Sequence, residues 1–131
     1  MRSFTLLLTY THVTLMFCKN HRPHLILSYS LGVRIVSNSW GSIDTYEYTQ
    51  ECTHVDKFVW ENNDMTIVFA AGNDGEKGFN TVGSPGLAKN CISVGASNGH
   101  YVAPDQFDYI SYFSSRGNRY SKRYELWNSI N

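Results

Sequence analysis

Between Arg34 and Ala71 the chain holds two short strand-forming runs with one amphipathic helix pattern between them, and that order narrows the choice of fold more than any other feature. Arg34-Ile35-Val36-Ser37-Asn38 reads as a strand entering the turn Ser39-Trp40-Gly41-Ser42. Cys52, Val55, Phe58 and Val59 recur at helical spacing between Tyr46 and Glu61. Glu47, Glu51, Asp56 and Lys57 remain for the wet face, and Asn62-Asn63-Asp64 ends the helix. Thr66 to Ala71 is then a strand of the kind that is buried in a parallel sheet. Strand, helix and strand in this order place the two strands parallel, with a crossover that is almost always right-handed. The loops after both strands therefore leave one edge, the edge at which sheets of this class bind ligands.

Around this unit, Leu25-Ile26-Leu27 with Tyr29 and Leu31 completes an earlier helix that Gly32 stops. Cys91 to Ala96 is a third buried-type strand, and Tyr109 to Ser114 a short edge piece before Ser115-Arg116-Gly117. Thr81-Val82-Gly83-Ser84-Pro85-Gly86 is a turn whose Ser84-Pro85 bond is a candidate for the cis form. The expected class is α/β, a partial doubly wound and mostly parallel sheet. A length of 131 residues holds one small domain.

Residues 1–24 stand apart as an atypical N-terminal segment: Met1-Arg2 followed by Phe4 to Phe17 has the charged start and apolar stretch of a secretory signal. His12, the threonines and the lack of a small-x-small site before Cys18 argue against that reading, and the stretch is too short and polar to span a membrane. Eleven basic and eleven acidic side chains cancel. The one basic run, Arg116, Arg119, Lys122 and Arg123 with Tyr120 and Tyr124, reads as a solvated tail, so no nucleic-acid partner is expected. Cys18, Cys52 and Cys91 are odd in number and widely spaced, which gives neither a disulfide framework nor a zinc pattern.

The chemistry concentrates after the second strand, in Gly72-Asn73-Asp74-Gly75. A carboxamide held at the end of a rigid strand can donate a hydrogen bond to a developing oxyanion, and flanking glycines let a substrate approach. The same four residues also compose an ordinary turn, and taken alone they favour that reading. Two other arrangements carry less weight. Gly95-Ala96-Ser97-Asn98-Gly99 matches a nucleophile elbow, with His100, Asp105 and Asp108 nearby, but it runs into loop rather than helix and no histidine follows His100. Ser39, His54 and Asp44 or Asp64 have no spacing that unites them.

Four blocks in order resemble the middle of the catalytic domain of subtilisin-like serine peptidases, the subtilases: 35–41, 68–75, 81–86, and 92–96 with 113–117. The resemblance covers about residues 25–117, leaving 118–131 as a divergent tail. It implies that Asn73 is the oxyanion-hole asparagine and that Ser39, Trp40 and Gly41 form a backbone rail for an extended polypeptide substrate, a strand-addition mode of binding. It also implies that Ala70, Ala71 and Gly72 form the opposite pocket wall. By the same resemblance an acidic residue at Asp74 biases the pocket toward basic side chains, although Asp74 reads as a solvated turn residue. Calcium, and a secreted or endomembrane location, rest on resemblance alone; cofactor and compartment are otherwise unknown.

The family's Asp-Ser/Thr-Gly, His-Gly-Thr-His and Gly-Thr-Ser-Met blocks are not found in this sequence. The expectation is a peptidase segment that is inactive alone. The alternatives are a non-catalytic pseudopeptidase that grips peptides, and a piece that does not fold independently because its sheet edges stay open.

Overall fold

The computed structural model describes residues 5–8, 13–16, 21–42, 44–98 and 109–117. Its elements in chain order are β1 (Thr5–Leu8), β2 (Val13–Met16), α1 (His21–Ser30), β3 (Ile35–Asn38), α2 (Gln50–Glu61), β4 (Thr66–Ala70), a 3-10 turn at Gly75–Lys77 and β5 (Ile92–Val94). One sheet holds all five strands in the order β2-β1-β3-β4-β5. β3, β4 and β5 run parallel, with Asn38 beside Phe69 and Phe69 beside Ser93. β1 lies antiparallel to both β2 and β3. The fold is α/β with a mostly parallel core, as the strand and helix patterns predict.

The helices form where local chemistry starts and stops them. Thr49 caps α2, its hydroxyl accepting the Glu51 N–H at 3.3 Å, so the helix begins at Gln50 and not at Tyr46. Asn62 closes it by donating backbone N–H to Phe58 and Val59 and side-chain amide to Phe58. α1 ends in paired bonds from Gly32 N–H to the Tyr29 carbonyl and from Val33 N–H to the Ser28 carbonyl, the closure expected of a glycine after the last turn.

Packing follows the period of each element. Val36, Ile67 and Phe69 point from the sheet toward Cys52, Val55 and Phe58 of α2 and Leu25 of α1, and these side chains form the core. Tyr29 of α1 meets Phe58 of α2 edge to face, with ring centroids 6.1 Å apart. Both helices thus cover one face of the sheet. The doubly wound arrangement is only half present among the described residues: on the other face Ile35 is 43% exposed and Ala70 is exposed.

The signal-like stretch contributes β1 and β2, whose backbones pair with the sheet. Tyr109 to Ser114 makes no strand; it meets the stretch after β5 through one antiparallel bridge between Ser97 and Ile110 and through hydrogen bonds to Ala96 and Asn98. The Ser84-Pro85 bond is cis. Cys18 and the tail 118–131 lie outside the described residues.

Candidate functional site

Because β3 and β4 are parallel and in register, Ser39–Ser42 and Ala71–Gly75 emerge at the same end of the sheet. The 81–86 turn fills the space between them. Gly83 N–H bonds the Ala71 carbonyl at 3.1 Å on one side. On the other, the Ser84 carbonyl accepts both the backbone N–H of Ser42 at 2.7 Å and its hydroxyl at 3.0 Å. Any side chain at Gly83 would lie 2.7 Å from the Ser42 carbonyl oxygen, so only glycine permits this contact.

The turn is fixed from below as well. The fully buried Ser84 hydroxyl bonds that of Thr49 and lies 3.4 Å from Cys52 Sγ, which ties the turn to the start of α2.

A second tie comes from 111–117. Gly75 N–H donates to the Phe113 carbonyl at 2.8 Å, and Thr81 N–H to the Arg116 carbonyl at 2.9 Å. Ser114 Oγ accepts from Ala96 N–H at 2.9 Å and so joins the segment to the end of β5. All the blocks that carry the family resemblance meet at this edge.

Within that frame each candidate residue has a definite place. Ser39 and Gly41 are exposed on the β3 loop. The Trp40 ring meets Phe69 edge to face at 5.2 Å and packs against the core, and the residue as a whole is half-buried. Ala70 is exposed at the end of β4, Ala71 is buried with its N–H on the Val94 carbonyl at 2.8 Å, and Gly72 is half-buried. Gly72 has φ +116°, and a Cβ there would come within 2.7 Å of Ser115 Oγ. Asn73 follows, exposed on the same edge.

One expectation is corrected. Asp74 is not a solvated turn residue: its side chain is 23% exposed and pairs with Lys77 Nζ at 3.0 Å. The 3-10 turn places Lys77 three residues on, on the same side of the chain. Lys77 also binds Asp44 Oδ1 at 2.5 Å and Tyr46 OH at 2.9 Å, both on the loop after β3. The Lys77 hydrogen bond and charge hold the Asp44 carboxyl below the usual carboxylate range, and the Lys77 ammonium is correspondingly raised. This latch across the two loops was missed in the sequence, where the Asp74 to Lys77 spacing was its only trace.

Of the competing arrangements, the one built on Ser39 is not brought together, and the one built on Ser97 falls partly outside the described residues. His54 lines a groove of about 200 Å³ between α1 and α2 with Ile26, Tyr29 and Lys57. Asp64 is engaged by Arg34 Nε at 2.6 Å and Tyr29 OH at 2.8 Å, and Asp44 by Lys77. Ser97 is described, but Gly99, His100, Asp105 and Asp108 lie outside the described residues. Burial pushes the Cys91 thiol up to about 12, which disfavours the thiolate that a nucleophile needs. Among the described residues no His, Cys, Asp and Glu cluster could hold a metal ion, and no helix is long and apolar enough to cross a membrane.

The model of the Subtilase family, Peptidase_S8, matches residues 20–128. Pyrolysin of Pyrococcus furiosus is 36% identical over 110 residues, covering 67% of this chain and 8% of that protein. Serine protease/ABC transporter B family protein tagD of Dictyostelium discoideum is 33% identical over 72 residues, covering 52% of this chain and 4% of that protein. Among solved structures, the prenylagaramide maturation protease PagA superposes with a TM-score of 0.57 at 20% identity, covering 80% of this chain and 35% of PagA. The PatG macrocyclase in complex with peptide gives 0.51 at 22% identity, covering 71% and 25%. These two likenesses concern the fold. The chain spans less than a tenth of the length of these curated relatives.

Proposed function

Because this chain belongs to the subtilase family, we propose that it is the substrate-gripping part of a serine endopeptidase domain, carrying the oxyanion donor and the peptide rail without a triad of its own. The observation that supports this most is the joining of the two loops through one turn, from Ala71 to Gly83 and from Ser84 to Ser42. In this reading the backbone of Ser39, Trp40 and Gly41 pairs with an extended polypeptide. Ala70, Ala71 and Gly72 border the pocket for the residue before the scissile bond, with no bulky side chain to fill it.

Asn73 then aims its amide at the oxygen of the scissile carbonyl as charge develops there. Such a donor accelerates acyl transfer only when a nucleophile attacks the same carbon, because it stabilises charge that the attack creates. The family's aspartate, histidine and serine blocks have no counterpart in this sequence. The chain alone is therefore expected to bind peptide and not to cleave it.

Incubation with a serine-directed fluorophosphonate and analysis of intact mass tests this. Unchanged mass is expected, and stoichiometric labelling would overturn the absence of a triad. The pseudopeptidase alternative shares the rail and differs only in the role of Asn73. It gains ground if peptide binding is strong and indifferent to Asn73→Ala.

A further inference from the structure

Reading Asn73 as the oxyanion donor raises the question of what aims it, and one distant residue touches the chain on both sides of it. Ser115 N–H donates to the Gly72 carbonyl at 3.0 Å. Ser115 Oγ accepts from Asp74 N–H at 3.1 Å. The Gly72 carbonyl belongs to the peptide plane that precedes the Asn73 Cα, and the Asp74 N–H to the plane that follows it. Holding one group of each plane restrains φ and ψ of Asn73 and so limits the directions from which its side chain can start. The missing side chain at Gly72 makes room for the hydroxyl that does this, and Ser115 is fully buried. Its neighbour Ser114 is tied to Ala96 at the end of β5, so the clamp refers the Asn73 backbone to the sheet.

We propose that Ser115 is the positioning residue for the Asn73 carboxamide. The proposal rests on the functional reading above, but its test does not use activity. The whole chain is labelled with 15N, and amide exchange and side-chain relaxation are measured for wild type, Ser115→Ala and Ser115→Thr.

In wild type the Asp74 amide is expected to be protected. Ser115→Ala should speed its exchange about fivefold or more, loosen the Asn73 side-chain amide, and leave the β4 amides of Ile67 to Phe69 protected. Ser115→Thr, which keeps the hydroxyl, should restore the Asp74 and Asn73 signals. A simple packing role would not track the hydroxyl in this way.

An unprotected Asp74 amide in wild type would overturn the proposal, and so would unchanged Asp74 and Asn73 signals in Ser115→Ala. If the alanine variant fails to fold, Ser115→Cys, close in size but a weak hydrogen-bond acceptor, takes its place with the same expected changes at Asp74 and Asn73. Titration with an extended peptide in the same spectra separates the two ideas: no response at Asn73 counts against the functional reading and leaves the clamp standing.

Discussion

At the scale of single residues, Lys77 has an outsized reach. Its ammonium holds one carboxylate on its own loop and one on the loop after β3, beside the edge where Asn73 stands. Lys77→Met removes the cation and leaves Asp44 and Asp74 without their shared counter-charge. The Asp44 carboxyl, depressed now by Lys77 and less by Tyr46, should then rise toward its ordinary value, which carbon-detected NMR reads directly; an unmoved midpoint would refute the latch. The sign of the pH effect follows. Because the folded-state value is lowered, the contribution of the pair is present above the unfolded carboxylate value of about 3.9. It disappears as pH falls through the lower folded value. Both groups are exposed, so loop order should respond more than global stability.

At the scale of elements, β4 joins the core to the site. Ile67 and Phe69 fill the space under α2 while Ala70 to Asn73 continue from the same strand into the candidate site. Phe69→Ala deletes a nearly fully buried ring and the partner of Trp40, and should cost about 3–5 kcal/mol in urea unfolding. Thr49→Ala removes the cap of α2 and a partner of the buried Ser84 hydroxyl, and should cost about 1 kcal/mol or somewhat more in the same measurement. A loss below half of that would show the cap to be decorative. These elements were legible in the sequence because their burial follows period: Cys52, Val55 and Phe58 every three residues, Ile67 and Phe69 every two. The start of α2 was not, since a threonine cap competes with the helix-forming residues before it.

At the scale of the whole molecule, α1 and α2 pack on one face of the described sheet, and aromatic side chains collect near its β5 edge. Tyr109 is 64% exposed and Tyr112 68%, the latter stacked edge to face on Phe113. Patches of this kind favour association. Light scattering is expected to rise with concentration and to fall in a Tyr109→Lys, Tyr112→Lys variant whose circular dichroism is unchanged; equal scattering in both would place the sticky surface elsewhere.

By itself the sequence determined the strand, helix and strand unit, the parallel direction of its strands and the identity of the loops at their carboxyl ends. Each of these depends on hydrophobic period and turn residues within a few positions. Only the tertiary structure decided that Ser115 brackets Asn73, that Lys77 bridges two loops and that β1 and β2 extend the sheet. Those are pairings of residues far apart in the chain, made by backbone groups and by short polar side chains that leave no periodic mark.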